Sequence, residues 1–506
     1  MKKYTLISLV VSAVLCSSAW AQGTGTISGT VRSADDEPLP GVAVLASSDV
    51  LPQPRTAVTS RSGEYVLPLL PPGDYDLSFS LEGMDAQTRD TTLLLGQRVR
   101  VDVRMGLAAV EDEIRVVGEA LIDTTSAELK TSIGEAVIQA VPTGQEYRDL
   151  VKLIPGVQYS EESVRGPSAG GSGQDNVYKF DGVNVTLPLF GTLAAEPSSH
   201  DIQQVAVVKG GADASDFNRS GGFTIDSISK SGTSDFTGEV SFQLQTEDMT
   251  GERDTGSNAE FEQDKDWTVL SLGGPILSDQ LFFYTSYYRP TISRDNRANA
   301  YGNVPDFDSE RDELFGKLTW TPTSNLLVHA NYRDSERDEV GISVGEFSSG
   351  STSEGAEASQ EIAILDATWV VNPNSFASFE YTDFANESAQ RPDNLFDFPI
   401  RIDGSVGLDV ANLDTQGLLL VPRPIAGEDS YNDFIAPLID RFGFLRDGAR
   451  VGGGEVGGGS TINDQDFFRE GFSGSYDYVL ETGPATHELH AGYQWYRDEE
   501  DLSRTS

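Results

Sequence analysis

The chain has 506 residues, of which 36 are basic and 79 acidic, and its formal net charge is −43 at pH 7. Its 51 glycines and 23 prolines are too many for a helical protein, and its 38% hydrophobic residues are too many for a disordered one. So negative a charge argues against nucleic acid as a partner, because a phosphate backbone repels it. The single cysteine excludes a disulfide scaffold, and four histidines argue against a histidine-rich metal site.

Residues 1–21 have the pattern of a bacterial secretory signal peptide. Two lysines precede an apolar run from Tyr4 to Leu15, and an Ala-Trp-Ala cleavage site ends at Ala21. The apolar run is shorter than the ~20 residues that a membrane-spanning helix needs. Lipidation of Cys16 is disfavoured because the bulky Leu15 precedes it. We therefore expect cleavage after Ala21, which leaves a mature chain without cysteine.

Residues 22–106 predict a small β-sandwich. In the clearest stretch, Tyr75, Leu77, Phe79 and Leu81 alternate with polar neighbours, which is typical of a strand with one buried face. Proline- and glycine-rich turns separate this strand from similar ones on either side. Six or seven strands in about 80 residues fit a sandwich of two sheets.

Four strings in this segment carry a resemblance to a known family: Gly29-Thr-Val-Arg, Leu39-Pro-Gly-Val-Ala-Val44, Ser62-Gly-Glu-Tyr-Val-Leu67 and Leu70-Pro-Pro-Gly-Asp-Tyr75. The segment resembles the carboxypeptidase-regulatory-like (transthyretin-like) domain over its whole length. That family's accessory domain carries no catalytic zinc ligands, and residues 25–105 contain no histidine and no cysteine. The resemblance therefore implies a binding or spacer module and not an enzyme.

The next segment, residues 120–235, mixes short helical and strand signals and predicts an α+β domain. Ile133, Val137 and Val141 recur at helical spacing. Residues 205–208 form a compact apolar strand pattern, which a Lys-Gly-Gly turn follows.

Several short motifs in this part of the chain, and the order in which they occur, resemble those of one family. Glu113-Ile-Arg-Val-Val117, inside residues 109–119, looks like a TonB box. Five later motifs look like successive pieces of a plug domain; they span residues 145–157, 178–184, 204–211, 217–222 and 229–233. The family is the TonB-dependent outer-membrane receptors, and the order of sandwich, plug and barrel points to the Oar-like branch.

The resemblance implies roles for these segments. Residues 120–235 would be the plug, and Glu113, Ile114, Arg115, Val116 and Val117 would bind TonB, the energy-transducing protein of the inner membrane. The physical step would be β-strand addition, in which main-chain hydrogen bonds join the segment to an edge strand of TonB. The protein would lie in the outer membrane of a Gram-negative bacterium, in contact with lipid, with its sandwich in the periplasm. Its substrate would be extracellular, and no cofactor is implied.

Residues 236–506 show long polar–apolar alternation, which predicts part of an antiparallel transmembrane β-barrel with lipid outside and water inside. The alternative is a large soluble β-sandwich, which alternates in the same way. Aromatic clusters at residues 282–284 and 287–288 are candidates for the belt at the membrane interface. We count nine strands, near residues 236–247, 266–274, 280–290, 311–321, 325–334, 360–371, 375–386, 468–480 and 485–497.

Nine strands are fewer than the ~22 of a transporter barrel with a plugged lumen. An open sheet edge in lipid would leave backbone groups unpaired. The chain also ends after a strand without a terminal aromatic residue. From these features we expect the sequence to be the N-terminal part of a longer receptor.

No catalytic constellation is visible in the sequence, so we expect no enzyme and no metal site. His487 and His490 are three apart in a strand pattern, and this spacing places them on opposite faces. The glycine-rich residues 452–459 lack the Gly-Lys-Ser/Thr of a phosphate-binding loop. The function expected is active transport across the outer membrane through TonB. The alternative is an adhesion or structural protein of the same fold without transport, and TonB binding separates the two.

Overall fold

The structure, a computed structural model, consists mainly of β-strands. It describes residues 24–95, 97–106, 116–117, 129–141, 147–159, 166–187, 193, 197–209, 221–249, 263–372, 374–394, 409, 411–459, 462–482 and 485–505. No helix in these ranges is long and apolar enough to cross a membrane.

The N-terminal unit is a β-sandwich, as the sequence predicted. Its strands are β1 (Gly25–Ser33), β2 (Ala43–Ser47), β3 (Arg55–Val58), β4 (Glu64–Leu70), β5 (Gly73–Ser80), β6 (Gln87–Leu93), β7 (Arg98–Arg100) and β8 (Val103–Met105). One sheet has the order β4-β1-β7, with β8 also paired to β1, and the other has the order β3-β2-β5-β6 followed by one further strand at its edge. The last strand, β9 (Val116–Val117), lies parallel to β6 at the edge of the second sheet.

Alternate residues of the sandwich strands form its core. Ile27, Leu77 and Phe79 are fully buried, and the ring of Tyr65 packs edge-on against that of Phe79 at 5.5 Å between centroids. Leu327, which lies far along the chain, packs into the same core. The sandwich is therefore a unit with its own core that also receives a side chain from another part of the molecule.

The second unit is a five-stranded sheet with a short helix, and we call it the plug. It contains β10 (Leu129–Gly134), α1 (Glu135–Ala140), β11 (Val177–Phe180), β12 (Val183–Asn184), β13 (Ile202–Lys209) and β14 (Phe223–Ser229). The sheet order is β10-β13-β14-β11-β12, with β11 parallel to β14. The helical spacing of Ile133, Val137 and Val141 does not mark a buried helix face. Ile133 lies in β10, and the two valines are exposed.

The third unit is a sheet of nine antiparallel strands, each paired with the next along the chain. The strands are β15 (Thr237–Gln245), β16 (Gln263–Leu277), β17 (Leu281–Arg294), β18 (Phe307–Thr323), β19 (Leu326–Ser343), β20 (Glu354–Asn372), β21 (Ser375–Pro392), β26 (Ile462–Thr482) and β27 (Ala485–Thr505). All nine predicted strands are confirmed. Most are longer than predicted, and they exceed the ~9–11 residues that a tilted strand needs to cross a bilayer.

The two faces of the large sheet differ in chemistry. In β18, Leu314, Leu318 and Trp320 are exposed on the outer face, while Phe315 and Lys317 are buried on the inner face against the plug. A soluble sandwich would bury the apolar face, so the exposed leucines and tryptophan contradict that alternative.

Of the five aromatic residues that were candidates for the interfacial belt, three face inward and two face outward. Phe282, Tyr284 and Tyr288 are buried on the inner face, and only Phe283 and Tyr287 point outward. Neighbouring residues of a strand point to opposite sides, so an uninterrupted aromatic run cannot lie on one face.

The two ends of the sheet also differ. Short turns join β16 to β17, β18 to β19, β20 to β21 and β26 to β27, and we call this the short-turn end. At the opposite end, the connection from β21 to β26 contains a folded cap. The cap consists of β22 (Leu419–Leu420), α2 (Asp429–Phe442), β23 (Phe444–Arg446), β24 (Ala449–Val451) and β25 (Glu455–Val456). It has its own apolar core, which includes Val421, Ile435 and Phe442.

Candidate functional site

The plug packs on the inner face of the large sheet, and this interface is the candidate functional site. Part of the contact is apolar: Ile362, Ile364 and Phe384 of the sheet share a core with Ile202 and Phe223 of the plug. The rest is a set of buried ion pairs and hydrogen bonds. Buried charges are costly unless they are paired and hydrogen-bonded, so each of these groups needs its partner.

Lys317 of β18 forms the first buried pair, with Asp181 of the plug. The Nζ–Oδ1 distance is 3.1 Å, and the two side chains are 5% and 9% exposed. Lys317 also donates to the Ser229 hydroxyl at 3.0 Å, and Asp181 accepts from Ser229 N at 3.0 Å and Asn331 Nδ2 at 2.9 Å. Burial alone would raise the pKa of Asp181, but the Lys317 ammonium and the Ser229 hydrogen bonds hold it below its usual value.

The backbone places Asp181 where it can accept these bonds. Asp181 and Gly182 connect β11 to β12, and both have a positive φ, of 46° and 87°. Two consecutive residues with positive φ are the requirement of a tight hairpin turn, and Asp-Gly is a preferred pair for it. The motif at residues 178–184, which the sequence singled out, therefore forms a tight turn whose carboxylate points at the sheet.

Arg333 of β19 forms the second buried cluster. Its Nη1 contacts Asp201 of the plug at 3.3 Å and is hydrogen-bonded to Glu313 of β18. Tyr284 donates its hydroxyl to Asp201 at 3.2 Å, and the backbone N–H of Ser198 donates to Glu313 at 3.2 Å. One cation thus joins a plug carboxylate to a sheet carboxylate.

Arg469 of β26 makes the third contact, with plug backbone. Its Nη1 donates to the carbonyl oxygens of Asn184 at 2.8 Å and Thr186 at 3.1 Å. Its other nitrogens pair with Asp498 of β27 at 2.6 and 3.1 Å. Lys317 and Arg469 thus hold the hairpin of residues 181–186, and Arg333 holds Asp201. We call this set of three cations the latch: Lys317, Arg333 and Arg469.

The latch can hold the plug firmly and still release it. A buried ion pair contributes little net stability compared with a well-packed apolar contact, yet removal of one partner costs about 3–5 kcal/mol. The contacts are directional, so a change in the plug's position breaks them together. Among the described residues, no group of three or more His, Cys, Asp or Glu side chains is arranged to hold a metal ion.

The predicted TonB-box residues are only partly described. Glu113, Ile114 and Arg115 lie outside the described residues. Val116 and Val117 form β9, whose backbone pairs in parallel with Arg89 and Asp90 of β6. This end of the box segment is therefore extended and lies at the edge of the sandwich sheet, apart from the latch.

Sequence reasoning missed the latch. Lys317 and Arg333 alternate with apolar residues in β18 and β19, but no local pattern indicates their partners. The signal available in the sequence was a basic residue in a strand of alternating apolar and polar residues, on the face that meets the plug.

The fold and this interface define a class: a plug domain held by buried cations against an antiparallel sheet whose outer face is apolar. Comparison with solved structures gives the same fold. The outer membrane transporter YddB from Escherichia coli matches with a TM-score of 0.55 and 14% identity, over 74% of this chain and 48% of that one. FpvAI, in its complex with pyocin S2, matches with a TM-score of 0.50 and 12% identity, over 76% of this chain and 43% of that one.

Sequence comparison identifies more specific relatives. Residues 26–106 match the carboxypeptidase regulatory-like domain, which confirms the resemblance seen in the sandwich. The TonB-dependent transporter Oar of Myxococcus xanthus is 30% identical over 360 residues, which are 62% of this chain and 33% of that protein. The chain thus spans about a third of that relative's length and less than half of the two solved chains.

Proposed function

We propose that this chain belongs to a TonB-dependent active transporter of the outer membrane of a Gram-negative bacterium. The observation that supports this most directly is the latch, because buried, directional contacts suit a plug that must move and return. The exposed apolar outer face of the large sheet suits contact with lipid. The 30% identity to the transporter Oar supports the same assignment. YddB and Oar are described as transporters, which favours a role other than enzyme catalysis.

The coupling step that we propose is strand addition at Glu113 to Val117. Before TonB binds, the plug would close the lumen of the barrel, and the sandwich would lie on the periplasmic side. TonB would pair its own edge strand with the box through main-chain hydrogen bonds, as extended peptides do when they bind sheet edges. Force on the box would then shift the plug and break the latch. The substrate would bind on the extracellular side, where the cap and the long connections lie.

Replacement of Val116 by proline is expected to abolish crosslinking to TonB in living cells. Proline lacks the N–H that a ladder needs, so it disfavours pairing at that position. The measurement is photo-crosslinking between the box segment and TonB, with outer-membrane content measured in parallel. Val116→Thr is the matched control, because threonine is also β-branched and keeps its N–H.

Each outcome of this experiment has one meaning. Loss of crosslinking in Val116→Pro, with Val116→Thr unaffected, supports the box. Undiminished crosslinking in the proline variant overturns the box assignment. A complete lack of TonB crosslinking in the unaltered protein would favour the non-transporting adhesion or structural role.

A further inference from the structure

The sandwich lies on the short-turn end of the large sheet. Arg55 of β3, which is 6% exposed, donates from Nη1 to the carbonyl oxygen of Ser324 at 3.0 Å. Ser324 lies in the turn between β18 and β19. Leu327, two residues into the next strand, is 1% exposed because it packs into the sandwich core. The sandwich is thus fixed to the rim of the sheet by a partly buried hydrogen bond and a buried side chain.

The sandwich also contacts the plug. The backbone N–H of Leu95 donates to the side-chain oxygen of Gln204 at 2.8 Å. The Leu95 side chain packs with Ala206 of β13 and Ile228 of β14 in a small buried cluster. One domain therefore bridges the plug and the sheet at the same end of the molecule.

A cavity of about 60 Å³ lies where the three units meet. Val50, Pro71 and Pro72 of the sandwich line one side of it. Asp181 and Lys317, the first pair of the latch, line the other side, together with residues of β19, β20 and β21. The sandwich therefore covers the Lys317–Asp181 pair of the latch from the short-turn end, and a molecule moving between plug and sheet towards that end would meet it.

We propose that the N-terminal sandwich is a gate over the short-turn end of the sheet, which must move aside before a path along the plug can open there. The contacts described above, two hydrogen bonds and two small apolar contacts, are of a kind that suits reversible docking. The docking of the sandwich on the sheet and plug does not depend on the proposed transport function. Only the link to TonB does, because β9 pairs with β6 and so attaches the box to the gate.

The accessibility of the covered cavity tests the gate. The mature chain is expected to lack cysteine, so Ser378→Cys, on the cavity wall in β21, provides a single reactive thiol. The measurement is the rate of labelling by a hydrophilic maleimide in isolated outer membranes, whose two faces are both open to the reagent. Adding Leu95→Asp is expected to raise the rate about tenfold or more, because it buries an unpaired charge between sandwich and plug. Val58→Asp is the matched control, since Val58 is 57% exposed on the same domain.

A second variant covers the possibility that Leu95→Asp unfolds the sandwich. Cysteines at Leu95 and Ala206, which pack together, are expected to form a disulfide that fixes the gate to the plug. Oxidation should then suppress labelling of the Ser378→Cys thiol, and reduction should restore it. Equal labelling in the Leu95→Asp and Val58→Asp variants, or labelling that oxidation leaves unchanged, would overturn the gate. Both results are independent of TonB crosslinking, so they separate the gate from the transport proposal.

Discussion

Replacing Arg333 by methionine is expected to cost about 3–5 kcal/mol of the free energy that holds the plug on the sheet. Methionine keeps the unbranched apolar stem of arginine but lacks the guanidinium group and its charge. The substitution would leave Asp201 and Glu313, which are 1% and 2% exposed, buried without their cation. Most of this loss of free energy comes from leaving the two carboxylates buried and unpaired, and less comes from the lost attraction to Arg333. The measurement is the urea midpoint at which the plug becomes sensitive to protease in outer membranes.

A matched variant and a double variant make this result specific. Arg497→Met removes the same group from a pair with Glu499 at the surface, where Arg497 is 66% exposed, and is expected to cost less than about 1 kcal/mol. Adding Glu313→Gln to Arg333→Met is expected to recover part of the loss, because one of the two unpaired carboxylates is then neutral. If Arg333→Met and Arg497→Met give the same midpoint, Arg333 does not hold the plug.

The sequence predicted the strands of the large sheet because their signal is local. Alternation with period two is present in each strand by itself, so β18 and β19 could be recognised without knowledge of their neighbours. The same pattern places Lys317 on the face opposite Leu314, Leu318 and Trp320. Its partner could not be predicted, because Asp181 is 136 residues away and only the folded plug brings the two together.

The cap and the aromatic belt show two other limits. The sequence analysis did not predict the folded cap. In α2, the core residues Ile435, Ile439 and Phe442 recur at helical spacing, but Pro437 within the same stretch disfavours a helix interior and obscures this pattern. The belt was assigned from aromatic composition, whereas the face that each ring occupies depends on strand register. Phe282 and Phe283 are adjacent in sequence and lie on opposite faces of the sheet.

The sandwich, residues 22–106, is expected to fold alone as a metal-free domain with one cooperative thermal transition. Its core comes almost wholly from its own strands, and among the described residues only Leu327 is contributed from outside. A domain of this size is marginally stable, so a single core substitution should remove most of its stability. Phe79→Ala, at a fully buried position of β5, is expected to cost about 3–5 kcal/mol and leave the fragment largely unfolded at 37 °C.

Calorimetry of the purified fragment checks this expectation, with Val58→Ala as the control. Val58 is exposed on an edge strand, so its truncation is expected to change stability by no more than about 0.5 kcal/mol. A chelator is expected to leave the transition unchanged, because residues 25–105 contain no histidine or cysteine to bind zinc. A fragment without a cooperative transition, or one that needs zinc, would mean that the sandwich is not an autonomous domain. Its docking on the short-turn end would then be part of its folding and not a reversible contact between independently folded domains.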